Sequence, residues 1–491
     1  MPPQSHTSDA GVVVPAIHAA SSLACLRSLS EEDARTIAIA DDPTAPGLSS
    51  KYCDETITVP DPTSDLDAYE RKLLTLARRD DVRTIIPVRE ADIYVLARNR
   101  DALSSVVGTP WPDLETLRSV QDRVRLFESA EDAGVSTPRT KVLDEWDDWG
   151  RESIVKPRYT LHASEYAEEF AESTTETHST QYVPADTEPD PEEFVSKMGH
   201  VPLVQEYVPD SDEYAFFALY DEGDPVATFQ HRQRRGCNYC GGPSAFRESV
   251  DIPALDSAGR RLLDELDWHG LAMVEFLRNP ATGDFELMEI NPRFWTSLPF
   301  TVQAGVDFPA YYWRQATGES ERIDADYEVG TAGHLLRGEL CHLHSIVFDD
   351  YPLVERPSFV RSAAEVLTSL VRHPRFDYLD PSDPRPFLRD VRNTFGALVG
   401  GGEVSDPRKD SAETDASDAL GTESRRQADE RLADERPTGE RLADERPTGE
   451  RLADKRLAGE APASPVGDDP ERESRQRAMV DGGQNHDESH G

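Results

Sequence analysis

Two acidic residues and an asparagine lie on the strands of a predicted β-hairpin, where their oxygen atoms are suited to bind a metal ion. Two apolar runs flank a turn at residues 279–284, and a turn centred near Thr282 places Glu275 directly opposite Glu289. Asn291 follows on the same face, because side chains along a strand alternate with a period of two. Two carboxylates and a carbonyl oxygen suit a hard divalent ion, so we predict that these residues bind Mg²⁺ (or Mn²⁺) on a nucleotide.

A solvent-exposed acidic hairpin is the alternative interpretation, because acidic residues are abundant in this chain and charged runs usually face solvent. The neighbouring residues favour the metal site. The acidic positions have apolar residues on both sides, and Asn291 opens the run Asn-Pro-Arg-Phe-Trp.

These residues resemble the metal-binding end of ATP-grasp carboxylate-amine ligases, in the branch of the carbamoyl-phosphate synthase large subunit. The resemblance is carried by Glu275, by the run Glu-Ile-Asn-Pro-Arg-Phe-Trp at 289–295 and by the run Ala-Gly-Val-Asp-Phe-Pro at 304–309. It implies an ATP-grasp fold, ATP as a substrate and an acyl phosphate intermediate. It also implies that Arg293 stabilises charge on the transferring phosphoryl group.

The same resemblance implies nucleotide-binding roles for five residues upstream. Lys156 ends an apolar run, where a buried ammonium is costly without anions, and it is expected to contact the α- and β-phosphates. Backbone groups around Glu206 and Val208 are expected to bind the adenine edge, and Glu213 is expected to bind the ribose hydroxyls. Arg123 stands where the family has a lysine at the α-phosphate, and this exchange keeps the positive charge.

The densest basic cluster of the folded part is His-Arg-Gln-Arg-Arg at 231–235. We predict that Arg232 acts with Arg293 to stabilise charge during phosphoryl transfer. The alternative is a solvated loop that balances neighbouring acids. His231 is a candidate general base.

The segment after the basic cluster is expected to be a substrate loop. Gly241-Gly-Pro-Ser244 resembles the family's Gly-Gly-x-Ser element, whose backbone N–H groups could bind an anionic substrate. Cys237 and Cys240 have the spacing of a zinc or redox pair, but the chain has no second Cys-x-x-Cys. We expect them to be reduced thiols.

Residues 163–200 depart from the family pattern, which places a glycine-rich flap over the phosphates there. No glycine occurs between Lys156 and Gly199, so the chain lacks the residue that lets a backbone approach phosphate closely. Either Arg158 and the Thr160 hydroxyl replace the backbone donors, or the flap closes differently.

Charge and composition restrict the environment of the protein. The formal net charge is −42, of which residues 402–491 contribute −10, so the remainder carries −32 with only five lysines before residue 400. This composition indicates adaptation to a salt-rich cytoplasm, and it argues against nucleic acid as a partner. Five cysteines and the lack of a long apolar run indicate a reducing, cytoplasmic location without membrane insertion.

The predicted fold class is α/β, an ATP-grasp fold with a preceding Rossmann-like domain and a disordered acidic tail. Strands at 11–17, 36–40 and 84–88 and a helix at 19–30 predict a parallel sheet, without the Gly-x-Gly-x-x-Gly turn of a nicotinamide-binding domain. Four parts are predicted: a leading domain at 1–113, an ATP-grasp domain at 114–330, an extension at 331–398 and a disordered tail with decapeptide repeats at 399–491.

The predicted function is an ATP-dependent ligase that phosphorylates a small-molecule carboxylate and couples it to an amine, in a protein that forms a homodimer. One alternative is carboxyphosphate chemistry like that of carbamoyl-phosphate synthase, although the chain has room for only one ATP-grasp unit. The other is a regulatory protein that binds ATP without turnover. The glycine-free flap and Arg123 favour it, and the metal-binding residues oppose it.

Overall fold

The computed structural model describes residues 10–167, 170, 173–174, 180–319, 326–351 and 353–400, with side chains described up to residue 396. The predicted disordered tail lies outside the described residues, apart from residues 399 and 400, which belong to the last helix.

The chain begins with a four-stranded parallel sheet in the order β3-β2-β1-β4. Its strands are β1 (Gly11–Pro15), β2 (Arg35–Ala40), β3 (Glu55–Thr58) and β4 (Val82–Ile85). The helices between and after them are α1 (Ala20–Glu31), α2 (Leu66–Ala77), α3 (Glu90–Arg98) and α4 (Arg100–Leu103). The parallel pairing of all four strands confirms the prediction of alternating β and α elements around a parallel sheet. Strand β1 is an unbroken buried apolar run, as expected for a strand that is covered on both faces.

A second, smaller sheet has the order β5-β8-β6-β7 and pairs its strands antiparallel. Its strands are β5 (Thr140–Val142), β6 (Ser153–Lys156), β7 (Gln181–Val183) and β8 (Leu203–Glu206). The same stretch of the chain contains three helices: α5 (Leu114–Gln121), α6 (Arg123–Asp132) and α7 (Pro191–Met198). The helical pattern that the sequence shows from Leu114 to Gly134 is interrupted at Asp122. This residue has extended backbone angles and accepts a hydrogen bond from the backbone N–H of Val124 as the N-cap of α6.

The third sheet has six antiparallel strands in the order β13-β12-β9-β10-β11-β14. They are β9 (Asp212–Asp221), β10 (Asp224–Asn238), β11 (Gly241–Ser249), β12 (Gly270–Arg278), β13 (Phe285–Asn291) and β14 (Ala332–His334). The helices α8 (Pro253–Glu265), α9 (Leu298–Gln303) and α10 (Phe308–Ala316) pack around it.

The prediction that residues 237–244 form a loop is wrong, because most of them belong to β-strands. Their role in substrate binding remains a prediction. Asn238 ends β10 and Gly241 begins β11, with only a tight turn between these strands. Glycine at two positions makes this possible. A Cβ atom on Gly236 would lie 2.1 Å from the carbonyl oxygen of Gly241, and Gly241 itself has a φ of +135°.

Three further helices form the C-terminal extension: α11 (Leu336–Phe348), α12 (Phe359–Arg372) and α13 (Arg385–Gly400). The last of these helices lies at the end of the extension predicted at 331–398. The extension packs against the first sheet, where the Asp383 carboxylate accepts hydrogen bonds from the Ser50 hydroxyl at 2.7 Å and from the Lys51 backbone at 3.1 Å. None of the described helices is long and apolar enough to cross a lipid bilayer.

One hydrophobic core runs through the first sheet and the six-stranded sheet, from Val12 to Trp313. A separate small core, which includes Trp146 and Val204, supports the four-stranded antiparallel sheet. The domain boundaries at 113 and 330 remain predictions.

Candidate nucleotide and metal site

The hairpin of β12 and β13 has the register that the sequence predicts, with Glu275 directly opposite Glu289. Its turn is held by the Asn279 side chain, which accepts a hydrogen bond from the backbone of Ala281 at 2.9 Å, and by Gly283 with a φ of +81°. Directly opposite residues of an antiparallel pair have Cβ atoms about 5 Å apart, so the two carboxylates share one face of the sheet.

The Glu289 carboxylate accepts a hydrogen bond from a buried arginine. Nη2 of Arg123 donates to Oε2 of Glu289 at 2.8 Å, and Nη1 donates to the carbonyl oxygen of Pro157 at 2.9 Å. Arg123 is only 2% exposed, so it orients the carboxylate from inside the protein. Arg123 therefore lies beside the site and pairs with one of its two acids, whereas the resemblance implied a contact with the α-phosphate.

Asn291 lies between Glu289 and Arg293. Its amide nitrogen lies 3.4 Å from Oε1 of Glu289, and its amide oxygen accepts a hydrogen bond from Nη2 of Arg293 at 3.0 Å. The amide oxygen therefore has one lone pair left for a metal ion.

Arg293 is fully buried and does not line the cleft described below. Its Nε donates to Oε1 of Glu90 at 2.6 Å, and the other oxygen of Glu90 accepts from Nε2 of Gln121 at 2.7 Å. The structure therefore places Arg293 behind Asn291, as a residue that positions the amide. Glu90 was missed by the sequence reasoning, since a lone acid at a helix start gives no signal of a distant arginine.

Lys156 ends β6 and is 7% exposed. Its ammonium donates to the side-chain oxygen of Gln205 at 3.0 Å and lies 5.2 Å from the centre of the Phe127 ring. Burial and the nearby charge of Arg123 lower the pKa of Lys156 to about 7, although Glu289 opposes this shift. A buried amine with few partners of opposite charge is suited to receive an anion.

A cleft of about 430 Å³ opens between the small sheet and the six-stranded sheet. It brings together five of the residues predicted for the nucleotide and the metal: Lys156, Glu206, Val208, Glu213 and Glu289. Its apolar wall contains Ile154, Tyr182, Leu277, Met288, Leu353 and Val354. An apolar slot beside a buried ammonium and a carboxylate offers separate surfaces for a purine and for its phosphates.

The extension contributes to this cleft, which the sequence did not predict. His342 of α11 and the segment 353–355 line it opposite the predicted adenine hinge. Tertiary packing alone brings them there, because these residues lie some 150 positions from the hinge in the chain.

A smaller hollow of about 40 Å³ adjoins the cleft and shares Glu213 and Glu289 with it. Glu275, His231 and Ser297 also line this hollow. Burial raises the pKa of Glu213 to about 7, although the Gln233 side chain donates a hydrogen bond to its carboxylate. The hollow is thus rich in carboxylates.

His231 is a poor candidate for a general base. It is 3% exposed, and burial together with the charge of Arg247 lowers its pKa to about 3. A group with so low a pKa has little tendency to take a proton at neutral pH.

Arg232 is not brought together with the other predicted residues. In the sheet register His231, Ala215, Glu275 and Glu289 form one row, so Arg232 and its neighbour Tyr214 point to the opposite face. Its guanidinium pairs with Asp212 at 2.6 Å, and Arg232 lines neither the cleft nor the hollow.

Arg234 and Arg235 line the cleft, whereas Arg232 does not. The guanidinium of Arg235 is paired with the buried carboxylate of Glu339 at 3.0 Å, and Nε of Arg234 lies 3.8 Å from Glu248. The register between β10 and β11 shifts after Gln233, which changes the alternation of side chains and brings two successive arginines to the cleft. A bulge of this kind gives no signal in the sequence.

The segment 163–200, which the resemblance places over the phosphates, lies partly outside the described residues. Arg158, proposed as a substitute for glycine-loop donors, forms a two-pronged ion pair with the buried carboxylate of Asp122, with both contacts at 2.8 Å. Its backbone N–H donates to His200 at 2.9 Å. The guanidinium of Arg158 is thus committed to the start of α6.

The donor set fits a divalent ion. Glu275 and Glu289 face each other at the junction of the cleft and the hollow, and both present hard oxygen atoms. Asn291 offers at most one lone pair. The fit is therefore better for a two-carboxylate site completed by phosphate oxygens and water than for a site with three protein ligands.

No family model matches this chain, and no curated protein matches it. The chain has a distant likeness to several solved structures. N5-carboxyaminoimidazole synthetase from Staphylococcus aureus complexed with ADP is 13% identical with a TM-score of 0.49, over 66% of this chain and 81% of that protein. The biotin carboxylase domain of Hydrogenobacter thermophilus 2-oxoglutarate carboxylase, in complex with MgADP and bicarbonate, is 18% identical with a TM-score of 0.48, over 65% and 73% of the two chains.

Biotin carboxylase from Campylobacter jejuni is 14% identical with a TM-score of 0.48, over 65% of this chain and 74% of that one. Identities and TM-scores of this size describe a distant likeness in overall architecture. The functional argument therefore rests on the residues of the site.

Proposed function

We propose that this protein is an ATP-dependent carboxylate-amine ligase of the ATP-grasp type. The observation that carries the proposal is the convergence of Lys156, Glu213 and Glu289 on one cleft between two sheets. This arrangement combines a buried ammonium for phosphates with carboxylates for a metal ion. The resemblance of the sequence to ATP-grasp ligases supports the same function.

In this proposal the nucleotide occupies the cleft with its base in the apolar slot beside Glu206 and Val208. Lys156 then contacts the phosphates, and these anions offset the cost of burying its ammonium. Glu213 lies at the junction with the hollow, where it can accept hydrogen bonds from ribose hydroxyls. Arg234, whose contact with Glu248 is long at 3.8 Å, takes the charge-stabilising role that the sequence suggested for Arg232, whereas Arg235 is paired with the buried Glu339.

Glu275 and Glu289 would hold Mg²⁺ with phosphate oxygens, which neutralises charge on the transferring group. Arg123 orients the Glu289 carboxylate at 2.8 Å. Arg293 fixes the Asn291 amide. The side chains of Glu289 and Asn291 are therefore oriented before a nucleotide binds.

The proposed reaction has two steps. A carboxylate oxygen of the substrate attacks the γ-phosphorus, and the bond to ADP breaks to give an acyl phosphate. The amine then attacks the acyl carbon, phosphate leaves and the amine nitrogen loses a proton. The residues above position the first step, and most of the catalysis is electrostatic.

A regulatory protein that binds ATP without turnover is the second candidate. The observation that favours it is the burial of Arg293, which removes one predicted catalytic charge from the cleft. The paired carboxylates oppose it, because a protein that only binds ATP has less need of them.

We further propose that the protein works in a salt-rich cytoplasm and forms a homodimer. The net charge of −42 supports the first point, because high salt screens the repulsion between acidic residues.

Hydroxylamine trapping tests the proposed function. Pools of carboxylic acids are offered with Mg-ATP and hydroxylamine in multimolar KCl, and hydroxamates are detected by mass spectrometry. A hydroxamate that requires ATP and is lost in Glu289→Gln supports the ligase and names the acid. If no acid is trapped while ATP binding is shown in the same samples, the regulatory protein becomes the better account.

A further inference from the structure

The C-terminal extension exposes most of the large apolar side chains found on the described surface. Ten of the thirteen that are well exposed lie between Leu340 and Phe395, and the other three are Val106, Val201 and Val329. Large apolar residues concentrated in one part of a surface usually mark a contact with another molecule.

Helix α12 shows this most clearly, because it is apolar on two opposite sides. Ser362 and Val366 are buried against the protein. A row on the opposite side faces outward, with exposed fractions of 78% at Val360, 65% at Leu367 and 82% at Val371. Ala364 completes this row, whose spacing of four, three and four residues is that of a coiled-coil seam.

The seam, defined as Val360, Ala364, Leu367 and Val371, is complementary to itself. In an antiparallel pair with a twofold axis between residues 365 and 366, each Val360 meets Val371 of the second copy. Each Ala364 likewise meets Leu367, so a small side chain faces a large one at the centre. A twofold pair of this kind uses the same surface patch on both copies.

The charges beside the seam are compatible with the same pairing. Arg361 and Thr368 flank one side of the row, and the antiparallel arrangement brings Arg361 of one copy to Thr368 of the other, so like charges do not meet there. The segment 359–375 carries three arginines and one glutamate in a chain of net charge −42. Two copies that meet at α12 therefore do so where their mutual repulsion is small.

We propose that α12 is the surface through which two copies of this chain form an antiparallel dimer, with the seam at its centre. A stable interface buries at least about 1,200 Å², which is more than a single pair of 14-residue helices provides. Helix α11, which packs beside α12, exposes Leu340, Val347 and Phe348 and is placed to enlarge the contact.

The dimer is expected to depend on salt. In dilute buffer two bodies of net charge −42 repel each other, whereas at 1 M salt the Debye length falls to about 3 Å. Molar salt thus removes the repulsion and leaves the apolar contact, so the dimer forms at high salt and dissociates as salt is lowered.

Light scattering and sedimentation of the full chain in 0.2 M and 3 M KCl test the proposal. We expect a dimer at high salt for the wild type and a monomer for Leu367→Glu. The matched control is Val329→Glu, which places the same charge at a residue 60% exposed outside the extension and should leave the dimer intact. Circular dichroism and thermal unfolding show whether each variant is folded.

A covalent test distinguishes this dimer from other associations. The double variant Arg361→Cys, Thr368→Cys should form an intermolecular disulfide under oxidation at high salt, because residues seven apart on one helix are too distant to bond within a chain. Wild-type protein, with its five free cysteines, is the control. A wild type that stays monomeric in 3 M KCl, or a dimer that Leu367→Glu leaves unchanged, would overturn the proposal. If the wild type is monomeric and Leu367→Glu lowers its melting temperature, the chain's own C-terminal segment covers the seam instead.

Discussion

Arg293 and Glu90 form a fully buried ion pair, with Nε of the arginine 2.6 Å from Oε1 of the glutamate. Glu90 begins α3 beside the first sheet, whereas Arg293 follows β13 of the metal hairpin. The pair therefore joins the two parts of the molecule directly behind Asn291. It sets the orientation of the amide through the second guanidinium nitrogen.

Replacing Glu90 should affect metal binding as well as stability. In Glu90→Gln the arginine loses its charged partner, and breaking such a buried pair costs about 3–5 kcal/mol when the remaining charge is not compensated. The Asn291 amide, which lies 3.4 Å from Oε1 of Glu289, then loses its fixed orientation. The Glu289 carboxylate is held less firmly as a result, so we expect weaker Mn²⁺ binding in the presence of nucleotide. Electron paramagnetic resonance titration measures the Mn²⁺ affinity, and denaturant unfolding measures the stability.

The control for that experiment is Glu70→Gln, since Glu70 pairs with Arg98 at 3.4 Å away from the site. It should change neither measurement by much. Unchanged Mn²⁺ affinity in a folded Glu90→Gln protein would show that the ion pair does not support the metal hairpin.

Lys156 is expected to lower the stability of the folded protein and to be required for ATP binding. Its pKa is about 7 in the folded protein and about 10.5 when exposed, so the unfolded chain holds an extra proton between these pH values. Stability therefore rises with pH across this window, and the cost of burying the ammonium is greatest at pH 7 and below. Lys156→Met should raise the melting temperature at pH 7 by several degrees and abolish ATP binding.

Melting curves at pH 7 and pH 10 measure this effect. The gain should shrink at pH 10, where the wild-type amine is neutral in the folded state. Lys141→Met is the control, because the Lys141 side chain is 40% exposed and should show neither the gain nor the loss of binding. A lower melting temperature for Lys156→Met at pH 7 would mean that the ammonium stabilises the protein when no nucleotide is added.

The hairpin register was predictable because a period of two and a turn of known type fix which residues face each other. Glu275 opposite Glu289 follows from these local rules. The parallel sheet at the start of the chain was predictable for a similar reason, since apolar strand patterns alternate there with helical ones.

The arrangement of the arginines was not predictable from the sequence. A register shift after Gln233 decides that Arg234 and Arg235 reach the cleft, and long-range packing decides that Arg293 meets Glu90. Both depend on contacts between residues far apart in the chain. The sequence identifies the basic cluster at 231–235, but residue type alone does not show which of its arginines lines the cleft.

ATP affinity should fall as the pH rises above 7. The phosphates bind best to the protonated form of Lys156, so each ATP bound at pH 8 takes up part of a proton, and the affinity decreases by up to about tenfold per pH unit. Calorimetry in two buffers of different ionisation enthalpy measures the proton uptake. Lys156→Arg keeps its charge at these pH values, so its affinity should vary less with pH. Equal proton uptake in both proteins would place the titrating group elsewhere.

Arg232 and Arg234 of β10 give a test of which arginine acts in the cleft. Arg234→Ala should lower kcat/KM by about tenfold or more, because it removes a charge from the cleft. Arg232→Ala should keep nearly the wild-type rate, since Arg232 pairs with Asp212 at 2.6 Å and lines neither the cleft nor the hollow. Steady-state kinetics on the acid found by trapping compare the two variants. The reverse order of effects would restore Arg232 to the site.

Gly241 should be required for nucleotide binding, and Gly283 provides a matched control. Both glycines have positive φ angles, +135° and +81°, so an alanine strains the backbone at either position. Only at Gly241 would the new Cβ also lie 2.9 Å from Oε1 of Glu213, whereas nothing lies within 4 Å at Gly283.

We therefore expect both alanine variants to lose about 1 kcal/mol of stability or somewhat more, and only Gly241→Ala to lose ATP affinity by tenfold or more, a change of about 1.4 kcal/mol. Unfolding in denaturant and ATP titration at high salt measure the two quantities. Because the backbone strain is shared, an equal loss of affinity in both variants would trace the effect to general destabilisation. A loss confined to Gly241→Ala would show that the position of the Glu213 carboxylate matters for the nucleotide.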